Sequence, residues 1–383
     1  MRMSALPKIY SLPLGVSPGR ALAEGLLRHT ENDRLRLSDF QIYLPDRRAC
    51  RTVREAFLAA TDGAATILPR LLPIGDHDAE DVFADDPFAF GDDPEVLPAI
   101  DPLERQMVLA RLVRARGDET LSPAQAFALA GDLARLIDQA ITENVSLEQL
   151  PGLVTGDLAE HWQKTMRFLS IIQEHWPLYL AERKLCDPAT RRVLLMDKKI
   201  DALRRLRPET PILAVAMRAL TPRTYDLLSV IATLPKGGVL LPGFDSDYPF
   251  HYWEALDSTH PYFMFKEFLS AHEMEPKNIK LWPLLSVTGS LAPKRQQAIH
   301  HALQPVATYN LAAAKLDAKD LHGVQFCACD NLHHEARTIA LILRETLETP
   351  GKTAVVTTPD RSLGQRIAHE MQRWDITISD SGG

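Results

Sequence analysis

Residues 8–74 alternate short apolar runs with amphipathic segments. The apolar runs predict strands at 9–12, 41–44 and 67–69, and the amphipathic segments predict helices at about 20–28 and 47–60. An order of strand, helix, strand favours a parallel sheet whose crossover helices cover its faces. The N-terminal region is therefore predicted to be an α/β unit.

Residues 102–185 have a different pattern, because their apolar positions recur at intervals of three and four. Leu109, Leu112 and Val113 show this spacing, and Ser122 followed by Pro123 has the N-cap and first-turn chemistry that begins a helix. Another helix is predicted over about 158–183. We interpret this region as a helical insertion in the α/β unit.

The α/β pattern then returns and is followed by a second alternating set. The predicted strands are 211–216, 238–241, 324–329, 353–358 and 376–379, and the predicted helices are 222–233, 335–347 and 363–374. The predicted regions are 1–100 and 209–320 for the first α/β domain, 101–208 for the insertion, and 321–383 for the start of a second α/β domain. A parallel sheet covered on both faces rarely ends so early. We therefore expect the chain to be the N-terminal portion of something longer.

The composition, with 45% apolar and 24% charged residues, is that of an ordinary globular chain. No apolar run approaches the ~18 residues of a membrane-spanning helix. The four cysteines are too few and too scattered for a disulfide framework. We therefore expect a cytoplasmic protein.

The net charge of −7 is unusual for a stand-alone nucleic-acid binder, which normally carries a positive excess. The charges are unevenly distributed, however. Eleven acids and no Lys or Arg lie between residues 73 and 104, a stretch that we interpret as a solvated loop. Basic residues concentrate at 47–54 and 183–207, so a localised basic surface is compatible with the acidic total.

The loop after the first predicted strand has the position of a nucleotide-binding loop. Aligned with GxxxxGK[ST], it places Gly19 at the second glycine, Arg20 at the lysine and Ala21 at the magnesium-binding hydroxyl, with Gly15 inside the loop. Ala21 has no oxygen for magnesium, and Pro18 removes a backbone donor. The segment is either an ordinary strand-to-helix loop or a degenerate nucleotide loop.

The other candidate motifs are weaker. Gly351-Lys352-Thr353 follows a helix instead of preceding one, which argues against a phosphate site. Cys327 and Cys329, near His333-His334, are interpreted as buried strand cysteines, because no second pair has zinc-ligand spacing. His300-His301 is interpreted as a solvated helix pair. We find no metal site and no catalytic constellation in the sequence.

Several stretches resemble the alphaproteobacterial type of AddB, the double-strand-break repair subunit that pairs with AddA in a helicase–nuclease. These stretches are Leu44–Arg51 with Arg54–Phe57, Ala159–Gln163, Leu234–Gly243, Glu335–Thr338 and Thr349–Arg361. They occur in the family's order along essentially the whole chain. The resemblance implies a RecA-like, superfamily-one-helicase-like fold that covers only the first part of the family's length.

The resemblance also implies partners and missing chemistry. The partner would be an AddA-like helicase–nuclease subunit, the ligands would be DNA ends or single-stranded DNA, and the location would be the cytoplasm at the nucleoid, with no membrane. The family's iron–sulfur cluster and nuclease metal belong to a C-terminal domain beyond this chain, so no cofactor is expected here. The role would be double-strand-break repair by homologous recombination.

Active relatives have an Asp-Glu pair before a helix resembling "NPAQYDLL". Thr221–Leu228 matches that helix, and Val215 and Ala216 then stand where the acids would be. Neither side chain can bind magnesium or activate water. The resemblance therefore implies an inactivated helicase scaffold with no catalytic residues in this chain.

The candidate DNA contacts are Arg47, Arg48 and Arg51, which follow the second strand, and Arg361, which lies in a repeat of the same Pro-Asp-Arg sequence. The alternative is that Arg47 and Arg48 stabilise the loop by pairing with acids such as Asp46. Two other functions remain open at this point. One is a protein–protein adaptor with no nucleic-acid role, and the other is a nucleotide-binding enzyme with unusual loops.

Overall fold

The computed structural model describes residues 8–74, 95–116, 121–146, 171–216, 220–282, 293–309 and 321–379. The chain divides into two compact units, Met1–Lys315 and Leu316–Gly383. Unit 1 contains the sheet and most of the helices. Within its described residues, unit 2 contains two helices.

The strands are β1 (Ile9–Leu12), β2 (Gln41–Leu44), β3 (Arg70–Pro73), β4 (Ile212–Val215), β5 (Gly237–Pro242) and β6 (Lys280–Leu281). The first helices are α1 (Pro18–His29), α2 (Arg47–Ala60), α3 (Pro102–Arg116), α4 (Pro123–Thr142), α5 (Trp176–Arg183) and α6 (Pro188–Leu206). The others are α7 (Pro222–Thr233), α8 (Phe250–Glu254), α9 (Phe263–Ala271), α10 (Pro293–Ala302), α11 (Leu332–Leu347) and α12 (Arg361–Gln372).

The six strands form one all-parallel sheet in the order β3-β2-β4-β5-β1-β6. The register pairs Ile9 with Val239, and Gln41 with both Ile212 and Arg70. This arrangement confirms the predicted α/β class with a parallel sheet and is consistent with a Rossmann- or P-loop-like fold.

Alternate residues of β2, β4 and β5 enter separate apolar cores on the two faces of the sheet. Ile42 and Leu44 pack with α1 and α2 on one face. Tyr43, between them, packs on the other face with α6, α7 and α9. Both faces are covered, as a parallel sheet requires.

Helices α3, α4 and α5, which lie within the region interpreted as a helical insertion, form a third core. Ser122 is the N-cap of α4, and its side chain and that of Gln125 form a reciprocal capping box, as the local sequence favoured. The adjoining helix α6 places Met196, Ile200 and Leu203 in the core on the sheet. The first part of the helix predicted at 158–183 lies outside the described residues.

The third strand occupies 70–73, so its predicted position at 67–69 is wrong. Its hydrogen bonding with β2 sets its position through the pairs Gln41–Arg70 and Leu44–Pro73, which an apolar run cannot reveal. Ile67 is instead mostly exposed.

In unit 2, α11 and α12 pack through a small core that includes Ala336, Ala340 and Ile367. Both helices agree with the prediction. The predicted strands at 324–329, 353–358 and 376–379 are not paired within the described residues, because no neighbouring strand there supplies hydrogen bonds. Cys327 is consequently exposed and Cys329 half-buried, which corrects their interpretation as buried strand cysteines.

No helix in the described ranges is long and apolar enough to span a membrane.

Candidate functional site

The carboxyl ends of the strands share one edge of the sheet, because the strands are parallel. After β1 and β2 the chain enters α1 and α2 on one face, and after β4 and β5 it enters α7 and α8 on the other. The chain therefore leaves the neighbouring strands β1 and β5 towards opposite faces of the sheet, and the same divergence occurs after β2 and β4. Such a divergence opens the crevice in which parallel α/β sheets bind ligands. The loops selected from the sequence after β1, β2 and β4 all lie at this edge.

The loop between β1 and α1 lacks some of the free amides that a phosphate cradle uses. Gly15 has a left-handed backbone, with φ of 85°, and the Val16 amide donates to the Pro13 carbonyl. Ser17 is the N-cap of α1, and its hydroxyl accepts from the Arg20 amide at 3.5 Å. Pro18, the first helical residue, has no amide proton. Three donors that a phosphate cradle would use are thus engaged or missing.

The two small residues at the start of α1 serve packing. A Cβ added to Gly19 would lie 3.4 Å from the Thr52 carbonyl oxygen of α2, so the glycine lets the two helices approach closely. Ala21 is buried, and its carbonyl accepts from the Trp282 indole at 3.2 Å. Arg20 points to solvent and pairs with Glu24 at 2.5 Å. This geometry favours the ordinary strand-to-helix loop.

Val215 and Ala216 end β4 inside the two cores. Val215 is buried in the core beneath α1 and α2, and Ala216 in the core on the opposite face. The Ala216 amide donates to the Leu240 carbonyl at 2.8 Å. Only β5 separates β4 from β1, so oxygen ligands at these positions would lie near the β1–α1 loop. The side chains present there are apolar.

The N-terminus of α2 carries the predicted arginines. The Asp46 carboxylate accepts from the Ala49 amide at 2.7 Å and caps the helix, so Arg47 is the first helical residue. Arg47, Arg48, Arg51 and Arg54 are all exposed. Arg47, Arg51 and Arg54 follow the helical spacing of four and three, which places them along one face.

Three other residues of α2, Cys50, Val53 and Phe57, are buried on the side that faces the sheet. Arg47, Arg51 and Arg54, which we call the arginine stripe, therefore lie on a well-packed helix. One of its members, Arg51, makes an exposed ion pair with Glu55 at 3.0 Å. Such a pair is worth little in water and does not prevent contact with a phosphate.

Arg361 occupies the equivalent position in unit 2. Asp360 caps α12 by accepting from the Ser362 amide at 2.8 Å, and Arg361 is the first helical residue. Hydrogen bonds from Ser362 hold the pKa of the Asp360 carboxyl below its usual value. The repeated Pro-Asp-Arg sequence thus builds the same capped helix start in both units.

A buried carboxylate at the same edge was not identified from the sequence. Asp245, just after β5, accepts from Gln296 and lies 2.8 Å from His300 Nε2 on α10. Burial alone would raise the pKa of Asp245, but the hydrogen bonds from His300 and Gln296 outweigh it and lower the pKa. His300 is mostly buried, so its interpretation as a solvated residue was wrong. The signal in the sequence was an acidic residue three positions after the end of a buried strand.

Among the residues that the structure describes, no group of three or more His, Cys, Asp or Glu side chains is placed to hold a metal ion. The Cys327 and Cys329 sulfurs lie 4.0 Å apart but have no third ligand within those ranges. Comparisons with known proteins add no identification. No family model matches the chain, and no curated protein matches it either.

Proposed function

We propose that this chain is the inactivated, helicase-like DNA-binding part of an AddB-type subunit, which acts with an AddA-like helicase–nuclease in double-strand-break repair. The observation that carries the proposal is the exposed arginine stripe at the N-terminus of α2, at the ligand-binding edge of a parallel sheet. The sequence resemblance supplies the family. The sheet is of the class that such a helicase-like domain requires.

The arginine stripe suits a nucleic-acid backbone. A guanidinium group can donate two parallel hydrogen bonds to one phosphate, and the N-terminus of a helix favours the same anion. Contacts of this kind position a protein on DNA and carry no sequence information. We therefore propose sequence-independent binding of DNA, with Arg47, Arg48 and Arg51 as the contacts of unit 1. Arg361 is a separate candidate contact of unit 2.

The DNA contact is tested by replacing Arg47 and Arg48 together with alanine in the full chain. Affinity for single-stranded DNA should fall alike on all sequences, and the slope of log affinity against log salt should flatten by up to about 1.4, the value for two phosphate contacts. The measurement is fluorescence anisotropy over a series of salt concentrations.

A matched control is the double replacement of Arg204 and Arg205 by alanine. These arginines are also adjacent and exposed, but they lie at the end of α6, which leads to the opposite edge of the sheet. Their loss should leave the salt slope unchanged. An unaltered affinity and slope in the Arg47 and Arg48 variant would show that those arginines only stabilise the loop.

Magnesium-dependent ATP hydrolysis is expected to be absent from the purified chain. The side chains of Ala21, Val215 and Ala216 offer no oxygen ligands for magnesium, and the Val16 and Arg20 amides of the β1–α1 loop are already engaged. A coupled ATPase assay with and without DNA measures this. Turnover that disappears in an Arg20→Ala variant would contradict the proposed inactivation, because contaminating activity would not depend on that residue.

A protein–protein adaptor is the second candidate, and the net charge of −7 favours it. An adaptor would show no DNA binding at low salt in the wild-type chain. The DNA-binding experiment therefore also separates the two functions.

A further inference from the structure

The outer surface of the helical insertion exposes a group of large apolar side chains. Leu103 and Met107, one turn apart on α3, are 59% and 46% exposed, and Phe127 on the neighbouring helix α4 is 38% exposed. The core residues Leu109 and Val113 of α3 are fully buried. The exposed side chains of α3 are therefore different from those that pack into the core of the insertion. Clustered apolar side chains on a surface mark contact sites more often than isolated ones do.

A groove of about 680 Å³ runs between these two helices. Its lining includes Met107, Ala110, Pro123 and Phe127, with Arg111 and Arg114 beside them. We call this feature the α3–α4 groove. Its volume is that of an ordinary binding pocket. Both of its charged lining residues are cations.

The lining of the α3–α4 groove includes two exposed arginines. Within the described ranges neither Arg111 nor Arg114 has an ion-pair partner, and both are exposed. A carboxylate placed beside them would gain charge-assisted hydrogen bonds. The aliphatic side chains beside the arginines, those of Met107, Ala110 and Pro123, suit an apolar side chain of a protein segment.

We propose that the α3–α4 groove binds a short amphipathic segment of a partner protein, with an apolar side chain between Met107 and Phe127 and acidic side chains on Arg111 and Arg114. An amphipathic helix laid in an apolar groove is a common form of peptide recognition. Arginine and aromatic side chains are also the residues that most often dominate such interfaces. This site is separate from the arginine stripe of α2 and stands whether or not that stripe binds DNA.

The probe is a fluorescent helical peptide of about 14 residues, long enough for roughly four turns, with leucines on one face and glutamates beside them. A matched peptide carries glutamine in place of each glutamate. At low salt the full chain should bind the glutamate peptide about 2- to 30-fold more tightly than the glutamine peptide, the range that two exposed ion pairs give.

The double variant Arg111→Gln, Arg114→Gln should lose the preference for the acidic peptide while still binding both peptides. Met107→Ala should weaken both peptides and keep the preference. Arg135→Gln is the control, because Arg135 is exposed on α4 and pairs with Asp132 of the same helix. All the replaced side chains are exposed, and circular dichroism verifies that each variant folds.

Three results would overturn the proposal. One is the absence of binding to either peptide, and another is equal binding of both peptides by the wild-type chain. The third is self-association of the wild-type chain that the Arg111 and Arg114 variant loses, which would assign the groove to a second copy. None of these results involves DNA, so failure here is distinguishable from failure of the proposed function.

Discussion

Replacing Arg105 by alanine should lower the free energy of unfolding of unit 1 by about 3–5 kcal/mol, the usual cost of leaving a buried charge without its partner. Arg105 lies on α3 and is only 5% exposed. Its two terminal nitrogens donate to the Asp138 carboxylate of α4 at 2.9 Å, and its Nε lies 2.9 Å from Asp187 Oδ1. The same Asp187 carboxylate accepts from the Trp176 indole at 2.9 Å. One side chain therefore joins α3, α4 and the start of α6.

The loss should depend on pH in a defined direction. Burial raises the pKa of Asp187, and the Arg105 charge opposes that rise. Without Arg105 the pKa of Asp187 in the folded variant should rise further. At pH values between the pKa of Asp187 in the unfolded chain and its higher pKa in the folded variant, folding would then take up a proton. The destabilisation should therefore be largest at neutral pH and should decrease as the pH falls through the pKa of the folded state.

Chemical denaturation of the wild type and the variant at several pH values measures both effects. Arg135→Ala is the matched control, because it removes an exposed arginine of α4 whose partner is on the same helix. It should cost less than about 1 kcal/mol. If the Arg105 and Arg135 variants lost similar stability, the buried cluster would not hold the insertion together.

The features that the sequence predicted well are those encoded by adjacent residues. Helix α7 begins at Pro222 after the N-cap Thr221, whose hydroxyl accepts from the Thr224 amide at 3.3 Å. The start of α2 depends in the same way on Asp46 and the residues that follow it. The candidate DNA contacts were visible because they lie on one such helix start.

The features that the sequence did not predict depend on residues far apart in the chain. Asp245 and His300 meet across 55 positions, and Arg105 and Asp187 across 82. Helix α6 was hidden because basic residues interrupt its apolar side. One of them, Lys199, is buried over the Tyr43 ring with its Nζ 4.1 Å from the ring centre. A lysine is expected to be exposed from its residue type, and only the packing of α6 on the sheet shows that this one is buried.

Replacing Gly237 by alanine should cost about 3 kcal/mol or more, which is at the upper end for overpacking a core. Gly237 is the first residue of β5 and follows a tight connection from α7, in which its amide donates to the Leu234 carbonyl. A Cβ at this position would lie 1.9 Å from the Ile231 carbonyl oxygen and 2.9 Å from Leu234 Cβ. The first of these is a backbone atom of a buried helix, so no side-chain rotation can relieve the clash.

The clash would affect the candidate site as well as stability, because β5 lies between β4 and β1. Moving α7 or the start of β5 would disturb the pairing of β5 with both β4 and β1. Gly131→Ala is the control: a Cβ there would lie 3.1 Å from the amide end of the Gln106 side chain, which can move. Because Gly131 lies within helix α4, its replacement by alanine should leave the free energy of unfolding unchanged or raise it by up to about 1 kcal/mol through better helix propensity. Thermal unfolding of the two variants measures the difference, and a Gly237→Ala protein as stable as the wild type would mean that the connection from α7 to β5 is less tightly packed than the structure shows.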